Sequence, residues 1–219
     1  MVDTKKLRFS YIAVEGPIGV GKTTLTRMLG QRFDAETLFE KAEENPFLRG
    51  FYEDREKYAF SAQIFFLLSR FRQLKEAKQT KLFNRATVVD YMVEKDFVFA
   101  ELNLNPEEFK LYNEVYRLLS ENLARPDLVI FLTAQTPTLV ERVLKRGKDY
   151  EAGISEGYIE EVNEAYHRFF FRYDKGPILM VNTNEIDFEN NKEDFDKLLE
   201  KLTSPIKGRE FFNPLGSDD

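Results

Sequence analysis

The stretch whose residue types and spacing point most clearly to a chemical role runs from Gly16 to Thr24 and reads GPIGVGKTT. It carries the spacing G-x-x-x-x-G-K-[ST], with an apolar strand-forming run before it and a helical pattern after it. In this setting the glycines let backbone N–H groups face phosphate oxygens, and the helix N-terminus adds a partial positive charge. Lys22 would reach the β- and γ-phosphates, and the Thr23 hydroxyl would bind Mg²⁺. The predicted phosphate-binding residues are Gly16, Gly19, Gly21, Lys22, Thr23 and Thr24.

Two carboxylates end other predicted strands, Glu40 after Glu36–Phe39 and Asp90 after Ala86–Val89. Because ligands of open parallel sheets bind at the carboxyl ends of the strands, both are expected at the rim that holds the phosphates. Phosphoryl transfer needs Mg²⁺, positive charge and a base near the acceptor hydroxyl. Glu40 is the candidate base, and Thr23 and Asp90 are candidates for holding Mg²⁺. The position of Glu40 also fits an exposed carboxylate at a strand end.

Arg142 and Arg146 lie four residues apart on one predicted helix face, in a basic run that continues to Lys148. Next to a phosphate loop, this run predicts a lid, about residues 142–155, that closes cations over the γ-phosphate. The same residues also fit a basic helix C-terminus that complements the helix dipole.

Gln63 and Arg70 lie seven residues apart on one face of a long predicted helix. An amide presents a donor and an acceptor together, so Gln63 could read a nucleobase edge. The pattern alone slightly favours two solvated polar side chains. Tyr52, Phe66 and Phe99 belong to residue types that are more often core than pocket.

The composition excludes several functional classes. The 219 residues carry a net charge of −6, which disfavours a broad electrostatic grip on nucleic acid. There is no cysteine and one histidine, so disulfides, thiol catalysis and histidine-rich metal sites are not expected. No apolar run approaches the length of a membrane span. These features predict a cytoplasmic enzyme with small-molecule substrates, and neither a nucleic acid nor a membrane as partner.

Strand and helix patterns alternate along the chain, which predicts a parallel five-stranded sheet with helices on both faces. The length fits one domain over residues 1–219, and the tail of about residues 204–219 is expected to be irregular. Asn105 is expected to cap a helix that begins at Pro106. The other predicted helices span about residues 25–33, 55–81, 136–146, 156–173 and 192–202, and the remaining strands about residues 8–15, 127–132 and 178–182.

A motor would be longer than this chain, and a phosphate loop with a carboxylate on the acceptor side is typical of phosphoryl transfer to a small molecule. A small-molecule kinase therefore fits best. Two alternatives stay open: a nucleoside monophosphate kinase similar to thymidylate kinase, and a catalytically inactive nucleotide-binding subunit.

Taken in order, the motifs resemble the deoxyribonucleoside kinases, above all the bacterial deoxyguanosine and deoxyadenosine kinases. The similarity covers about residues 11–188. It includes the phosphate loop, Phe39-Glu40-Lys41, Glu44-Asn45-Pro46-Phe47-Leu48, Tyr58 to Gln63, Ser69 to Gln73, Asp90-Tyr91 and Lys145-Arg146-Gly147-Lys148. The resemblance implies the P-loop kinase fold, ATP with Mg²⁺ as phosphoryl donor, a purine deoxynucleoside as acceptor in nucleotide salvage, and a homodimer formed through the helices at residues 55–81 and 106–123.

The resemblance also implies residue roles. Glu40 would deprotonate the 5′-hydroxyl, with Glu44 as a weaker rival. On the acceptor side, Tyr52 and Glu151 would hold the 3′-hydroxyl, Gln63, Arg70 and Asp96 would select the base, Phe99 would stack on it, and Phe66 would line the same site. On the donor side, Lys22, Arg142, Arg146 and Lys148 would contact the phosphates, with Asp187 and Phe188 near the adenine.

Three positions depart from the family pattern. Most members have Asp/Glu-Arg-Ser where this chain has Asp90-Tyr91-Met92, so the task of the missing arginine is unassigned. The lid has Lys148 where arginine is common, which replaces a bidentate phosphate contact by a point charge. The common Glu-Pro-Val is Glu40-Lys41-Ala42.

Overall fold

The computed structural model describes residues 7–79, 86–120, 123–186, 188 and 191–213. Within these ranges the strands are β1 (Tyr11–Glu15), β2 (Glu36–Leu38), β3 (Thr87–Val89), β4 (Leu128–Thr133), β5 (Ile178–Asn182) and β6 (Arg209–Phe212). The helices are α1 (Lys22–Phe33), α2 (Leu48–Glu53), α3 (Arg55–Gln79), α4 (Asp96–Asn103), α5 (Pro106–Ser120), α6 (Thr136–Arg146), α7 (Glu156–Phe171) and α8 (Lys192–Thr203). Short 3₁₀ turns span Ala42–Glu44, Val93–Lys95 and Asp149–Glu151. Every helix in the described part of the chain is too short or too polar to cross a membrane.

The sheet has the strand order β2-β3-β1-β4-β5-β6, and each described pair of neighbours is parallel. β1 lies between β3 and β4, with Ile12 opposite both Val88 and Leu128. Since parallel strands are joined by crossovers, their carboxyl ends all meet at one edge. The three segments that follow β2, β3 and β1 are therefore neighbours at this edge.

Alternate residues of β1 pack into cores on opposite faces of the sheet, as expected for a strand covered on both sides. Ile12 and Val14 belong to a cluster with Leu25 of α1. Ala13 belongs to a second cluster with Phe131 of β4 and others from α7. The predicted α/β architecture with helices on both faces is confirmed.

The described residues form a sheet of six strands, so the prediction of five strands is wrong. The strand that was not predicted is β6. β6 lies in the segment that was expected to be irregular and pairs with β5, Ile178 opposite Arg209. The Arg209 guanidinium donates to the backbone oxygens of Phe170, Phe171 and Tyr173 at 2.7–3.2 Å, which anchors the strand beside the end of α7. These contacts join residues that are far apart in the sequence, so no local pattern predicts the strand.

Two short helices near the cavity were not predicted. α2 begins at Leu48, shortly after the turn at Ala42–Glu44, and α4 directly follows the turn at Val93–Lys95. The predicted start of α5 is confirmed, because the Glu108 N–H donates to Asn105 Oδ1 at 2.9 Å and the Asn105 N–H donates to Glu108 Oε2 at 3.2 Å. The predicted ends of α3 and α5 reach residues 80–81 and 121–122, which lie outside the described residues.

Candidate active site

A cavity of about 620 Å³ opens at the carboxyl edge of the sheet, over β1, β2 and β3. This volume is typical of a small-molecule site. Most of the sequence-predicted site residues line it: Gly19, Gly21, Lys22, Thr23, Thr24, Glu40, Tyr52, Gln63, Phe66, Arg70, Asp90, Phe99, Arg142, Arg146, Lys148, Glu151 and Phe188. Residues from nearly the whole chain are thus brought together at one place.

The phosphate-binding loop follows β1 and ends at the first residue of α1. Gly16 has φ 151° and Gly19 φ 85°, and a Cβ on either would lie within 2.8 Å of a backbone oxygen, of Leu132 or Leu139 respectively. Only glycine fits both positions without strain. The Lys22 ammonium donates to the carbonyl oxygens of Gly16 at 2.7 Å and Pro17 at 3.0 Å. Burial, together with the charge of Lys95, lowers the pKa of Lys22 to about 8 against the opposing effect of nearby carboxylates.

Asp90 connects the loop to the segment that carries the candidate base. Its Oδ2 accepts a hydrogen bond from Thr23 Oγ1 at 2.8 Å, and its Oδ1 accepts one from the Glu40 backbone N–H at 2.6 Å. Burial raises the pKa of Asp90, and the neighbouring Glu40 charge raises it further. Because β3 lies between β2 and β1, a single side chain after β3 reaches both neighbours.

The Glu40 carboxylate lies between two buried cations. Its Oε1 accepts a hydrogen bond from Arg70 Nε at 2.7 Å, and its Oε2 accepts one from Lys95 Nζ at 3.2 Å. Burial by itself would raise the pKa of Glu40, but the charges of Arg70 and Lys95 outweigh it and lower that pKa to about 2. Glu40 is therefore ionised and oriented, and the alternative of an exposed strand-end carboxylate is wrong, since its side chain is 20% exposed.

Glu44, the weaker rival for the base, has a different environment. It lies in the 3₁₀ turn Ala42–Glu44 with a side chain that is 54% exposed, and it pairs with the Lys41 ammonium at 2.9 Å. Glu44 is not among the described residues that line the cavity. The geometry favours Glu40 for a role at the reacting atoms.

Gln63 and Arg70 are 5% and 4% exposed, so the interpretation that they are solvated polar residues is wrong. Arg70 forms ion pairs with both Glu40 and Asp96. Asp96 is fully buried behind Arg70 and is not among the described lining residues. The amide of Gln63 lines the cavity beside this cluster and offers a donor and an acceptor to a ligand.

Several aromatic side chains line the cavity, among them the sequence-predicted residues Tyr52, Phe66, Phe99 and Phe188. Phe66 packs beneath the Arg70 guanidinium, whose Cζ lies 4.9 Å from the ring centre. Phe99 contacts Tyr166 edge-on, and Phe188 contacts Phe195 in the same way. These residues are anchored in the core and present part of their surface to the cavity, so pocket and core are not exclusive for them.

The predicted lid forms the opposite rim, where its cations are held by local partners. Arg146 pairs with Glu151, with NH2 donating to Oε1 at 2.5 Å, while the Glu151 side chain is 6% exposed. Arg142 donates to Thr183 Oγ1 at 3.1 Å and to the Thr183 carbonyl at 2.6 Å. The Lys148 ammonium lies 5.3 Å from the Tyr150 ring centre. Arg146 and Glu151 can contact two different ligands only if their ion pair opens or if each side chain binds its ligand while it keeps the other as a partner.

Two further predicted residues need separate mention. Gly16 begins the loop and is not among the described lining residues, although its carbonyl accepts a hydrogen bond from Lys22. Asp187 lies outside the described residues.

Sequence reasoning missed the buried residues behind the cavity, Glu15 and Lys95. Glu15 ends β1 and is fully buried, and Lys95 is 2% exposed and lies 3.7 Å from Glu15 Oε1. Burial raises the pKa of Glu15 against the opposing charges of Lys95 and Lys22. A carboxylate at the end of an apolar strand was the available signal for Glu15. For Lys95 no local signal existed, because its sequence neighbours Glu94 and Asp96 are both charged, as is typical of an exposed turn.

Oxygen ligands suited to Mg²⁺ are present at the loop. Thr23 Oγ1 and Asp90 Oδ2 are 2.8 Å apart and both residues line the cavity. Among the described residues no cluster of three or more His, Cys, Asp or Glu is arranged to hold a metal without other ligands. This donor set fits an ion that is bound by one or two protein oxygens and completed by phosphates and water.

The chain is similar to known proteins over most of its length. The family model described as deoxynucleoside kinase matches residues 12–207. The deoxyguanosine kinase of Bacillus subtilis (strain 168) is 35% identical over 193 residues, which cover 86% of this chain and 93% of that protein. The deoxyadenosine kinase of Dictyostelium discoideum is 32% identical, covering 98% of this chain and 86% of that protein. The structure of deoxyadenosine kinase from M. mycoides with bound dATP aligns with a TM-score of 0.77 and 31% identity, covering 89% of this chain and 100% of that one.

The ionised state of Glu40 predicts a pH dependence of stability. Its pKa is about 2 in the folded protein and 4.5 ordinarily, so its stabilising contribution is fully present above about pH 4.5 and is lost as the pH falls toward 2. We expect the unfolding free energy of the wild type, minus that of Glu40→Gln, to be constant above about pH 4.5 and to decrease between about pH 4.5 and about pH 3. Urea denaturation at a series of pH values measures both. A difference that stays constant over this range would contradict the assigned ion pairs, and Glu44→Gln is the control that should leave the pH profile of the wild type unchanged.

Proposed function

The chain belongs to the deoxynucleoside kinase family, and we propose that it transfers the γ-phosphoryl group of ATP to the 5′-hydroxyl of a purine deoxyribonucleoside, deoxyguanosine or deoxyadenosine. The product would be the 5′-monophosphate, and the reaction would serve nucleotide salvage in the cytoplasm. The observation that carries the proposal is the ionised Glu40, which faces the cavity and is joined through Asp90 to the phosphate-binding loop.

The donor half of the site consists of the loop and the lid. Backbone N–H groups of the loop and the N-terminus of α1 would bind the triphosphate oxygens. Lys22 would exchange its bonds to the loop carbonyls for contacts with the β- and γ-phosphates. Arg142, Arg146 and Lys148 would close from the opposite rim and stabilise charge on the moving phosphoryl group. Phe188 and the neighbouring loop would contact the adenine.

The acceptor half is built around Glu40. This carboxylate would accept the proton of the 5′-hydroxyl while the hydroxyl oxygen bonds to the γ-phosphorus and the bond from that phosphorus to ADP breaks. Tyr52 and Glu151 would hold the 3′-hydroxyl, because both line the cavity on the side of α2 and the lid. Gln63 would pair with the base, with Arg70 and Asp96 fixing its orientation and Phe99 and Phe66 flanking the ring.

Mg²⁺ would be held by Thr23 and Asp90 together with the phosphates. Bound there, it would neutralise charge on the β- and γ-phosphate oxygens. Asp90 is already placed for this by its hydrogen bond to Thr23. Asp90 would therefore serve the metal and, through the Glu40 backbone, the position of the base.

The preference for a purine rests on two supports. The relatives described above are named deoxyguanosine kinase and deoxyadenosine kinase. Gln63 is buried and offers both a donor and an acceptor, which suits the edge of either purine.

The two alternative functions are less well supported. A nucleoside monophosphate kinase needs cations for an acceptor phosphate, whereas Arg70 is already paired with two carboxylates and Arg72 is exposed on another face of α3. An inactive nucleotide-binding subunit would not need an ionised base beside the loop, and Glu40 is such a base.

A panel of nucleosides tests the proposed function. With radiolabelled ATP and Mg²⁺, we expect transfer to deoxyguanosine or deoxyadenosine at a kcat/KM at least about tenfold above that for thymidine, since unmatched buried polar groups penalise the wrong base. dGMP and dTMP are included as acceptors. Transfer to a monophosphate alone would establish the monophosphate kinase, and tight ATP binding without any transfer would establish the inactive subunit.

The assignment of the base is tested by Glu40→Gln, which keeps the shape and removes the charge. We expect kcat to fall by about 10²–10⁴-fold, because a positioned base contributes this much, while the Kd for ATP changes little. Glu44→Gln is the matched control and should keep wild-type kcat. Near-normal turnover of Glu40→Gln, with a loss in Glu44→Gln, would move the base to Glu44.

A homodimer through the outer faces of α3 and α5 is part of the proposal. Its support is the pair Leu111 and Leu118, one heptad apart on α5 and 50% and 80% exposed in the single chain. We expect light scattering to give twice the chain mass, and Leu118→Glu to shift it toward the monomer because a charge is costly in an apolar interface. A monomeric wild type at micromolar concentration would contradict the dimer.

A further inference from the structure

Lys95 is a charged side chain in an unusual place. It ends the 3₁₀ turn Val93–Lys95, directly before α4, and it is 2% exposed. Lysine is almost never fully buried unless it is paired. Its ammonium lies 3.2 Å from Glu40 Oε2 and 3.7 Å from Glu15 Oε1. The burial of this charge thus needs both carboxylates.

Lys95 contacts the carboxylate of Glu40, the proposed general base, from the side away from the cavity. Arg70 lines the cavity and holds Glu40 Oε1, whereas Lys95 is not among the described lining residues and holds Oε2. Arg70 is also shared with Asp96. The two oxygens of Glu40 therefore have different partners, and Lys95 reaches the lining of the cavity through its contact with Glu40.

The second partner of Lys95 connects it to the phosphate-binding loop. Glu15 Oε2 accepts a hydrogen bond from the Gly16 N–H at 3.1 Å, and Oε1 accepts one from the Met92 N–H at 2.7 Å. Gly16 is the first residue of the loop. Lys95 thus stands between the carboxylate that braces the loop and the carboxylate that faces the acceptor.

Tyr91 supplies no positive charge at this point. It is fully buried, and its hydroxyl has no hydrogen-bond partner among the described residues. The positive charge next to the carboxylates of Glu15 and Glu40 comes from Lys95, four residues further along the chain.

Resting on the proposed function, we propose that Lys95 is a positioning residue: it orients Glu40 toward the acceptor hydroxyl and ties Glu40 to the phosphate-binding loop through Glu15. It does not itself take the proton, which stays on Glu40 until the product leaves. Phosphate contacts are not part of this role, because Lys95 lies outside the cavity.

Kinetics of Lys95→Met test the role, with Lys95→Arg as the conservative variant and the exposed Lys175→Met as the matched control. We expect Lys95→Met to lower kcat about 10–100-fold while the KM for ATP stays within about threefold, since orientation of a general base is lost and donor binding is not. Lys95→Arg should recover a substantial part of kcat, and Lys175→Met should match the wild type. Loss of ATP binding equal to the loss of kcat would overturn the proposal.

A second measurement does not depend on turnover. The charged groups facing Glu40 are Arg70 from α3, Lys95, Lys22 from α1, Asp90 after β3 and Glu15 at the end of β1. In urea denaturation at neutral pH, we expect Lys95→Met and Glu40→Gln together to destabilise the protein less than the sum of the two single substitutions, because each of them removes the same ion pair.

The outcomes separate the two proposals. Non-additive destabilisation by the Lys95 and Glu40 substitutions, in a protein that phosphorylates no nucleoside, would contradict the proposed function and support the ion pair. Additive destabilisation together with unchanged kcat in folded Lys95→Met would overturn the role of Lys95. Lys95→Gln, which keeps a polar end group, carries the same expectations if Lys95→Met does not fold.

Discussion

The site depends on the two hydrogen bonds accepted by Asp90. One oxygen holds the Thr23 hydroxyl at the start of α1, and the other holds the Glu40 backbone N–H. Donor and acceptor halves of the site are thereby joined through one carboxylate at the end of β3. This is possible because β3 lies between β2 and β1, so that their carboxyl ends are adjacent. A different strand order with the same strands would separate the halves.

Charge balance is the second requirement of this arrangement. Glu15, Asp96 and Lys95 are almost completely buried. Removing one partner of a buried ion pair typically lowers the free energy of unfolding by several kcal/mol, because the other charge stays buried without compensation. Arg70 and Lys95 offset the penalty by each contacting two carboxylates. The result is an ionised Glu40 in a low-dielectric site, with its orientation determined before any ligand binds. Such preorganisation is what electrostatic catalysis requires.

Local patterns in the sequence predicted most of the helices and strands and many of the residues that line the site, but not the contacts between these residues. The spacing from Gly16 to Thr23, the buried strands and the Asn105 cap are short-range signals, and each produced the expected local structure. β6 and α4 were missed because contacts distant in sequence hold them, such as those from Arg209 to the end of α7. Gln63 and Arg70 were judged by helical periodicity alone, which does not reveal which polar face is covered by the rest of the chain.

Residue types and their spacing are enough to predict a phosphate loop, the positions of Glu40 and Asp90 after strands, and a basic run that begins at Arg142. Which of these groups meet depends on how the strands and helices pack. The strand order placed Asp90 between Thr23 and Glu40, and the burial of Lys95 completed a charge cluster that no local pattern encodes. The physical reason is that hydrogen bonds and ion pairs depend on distances of a few ångströms, which are set by how the elements pack.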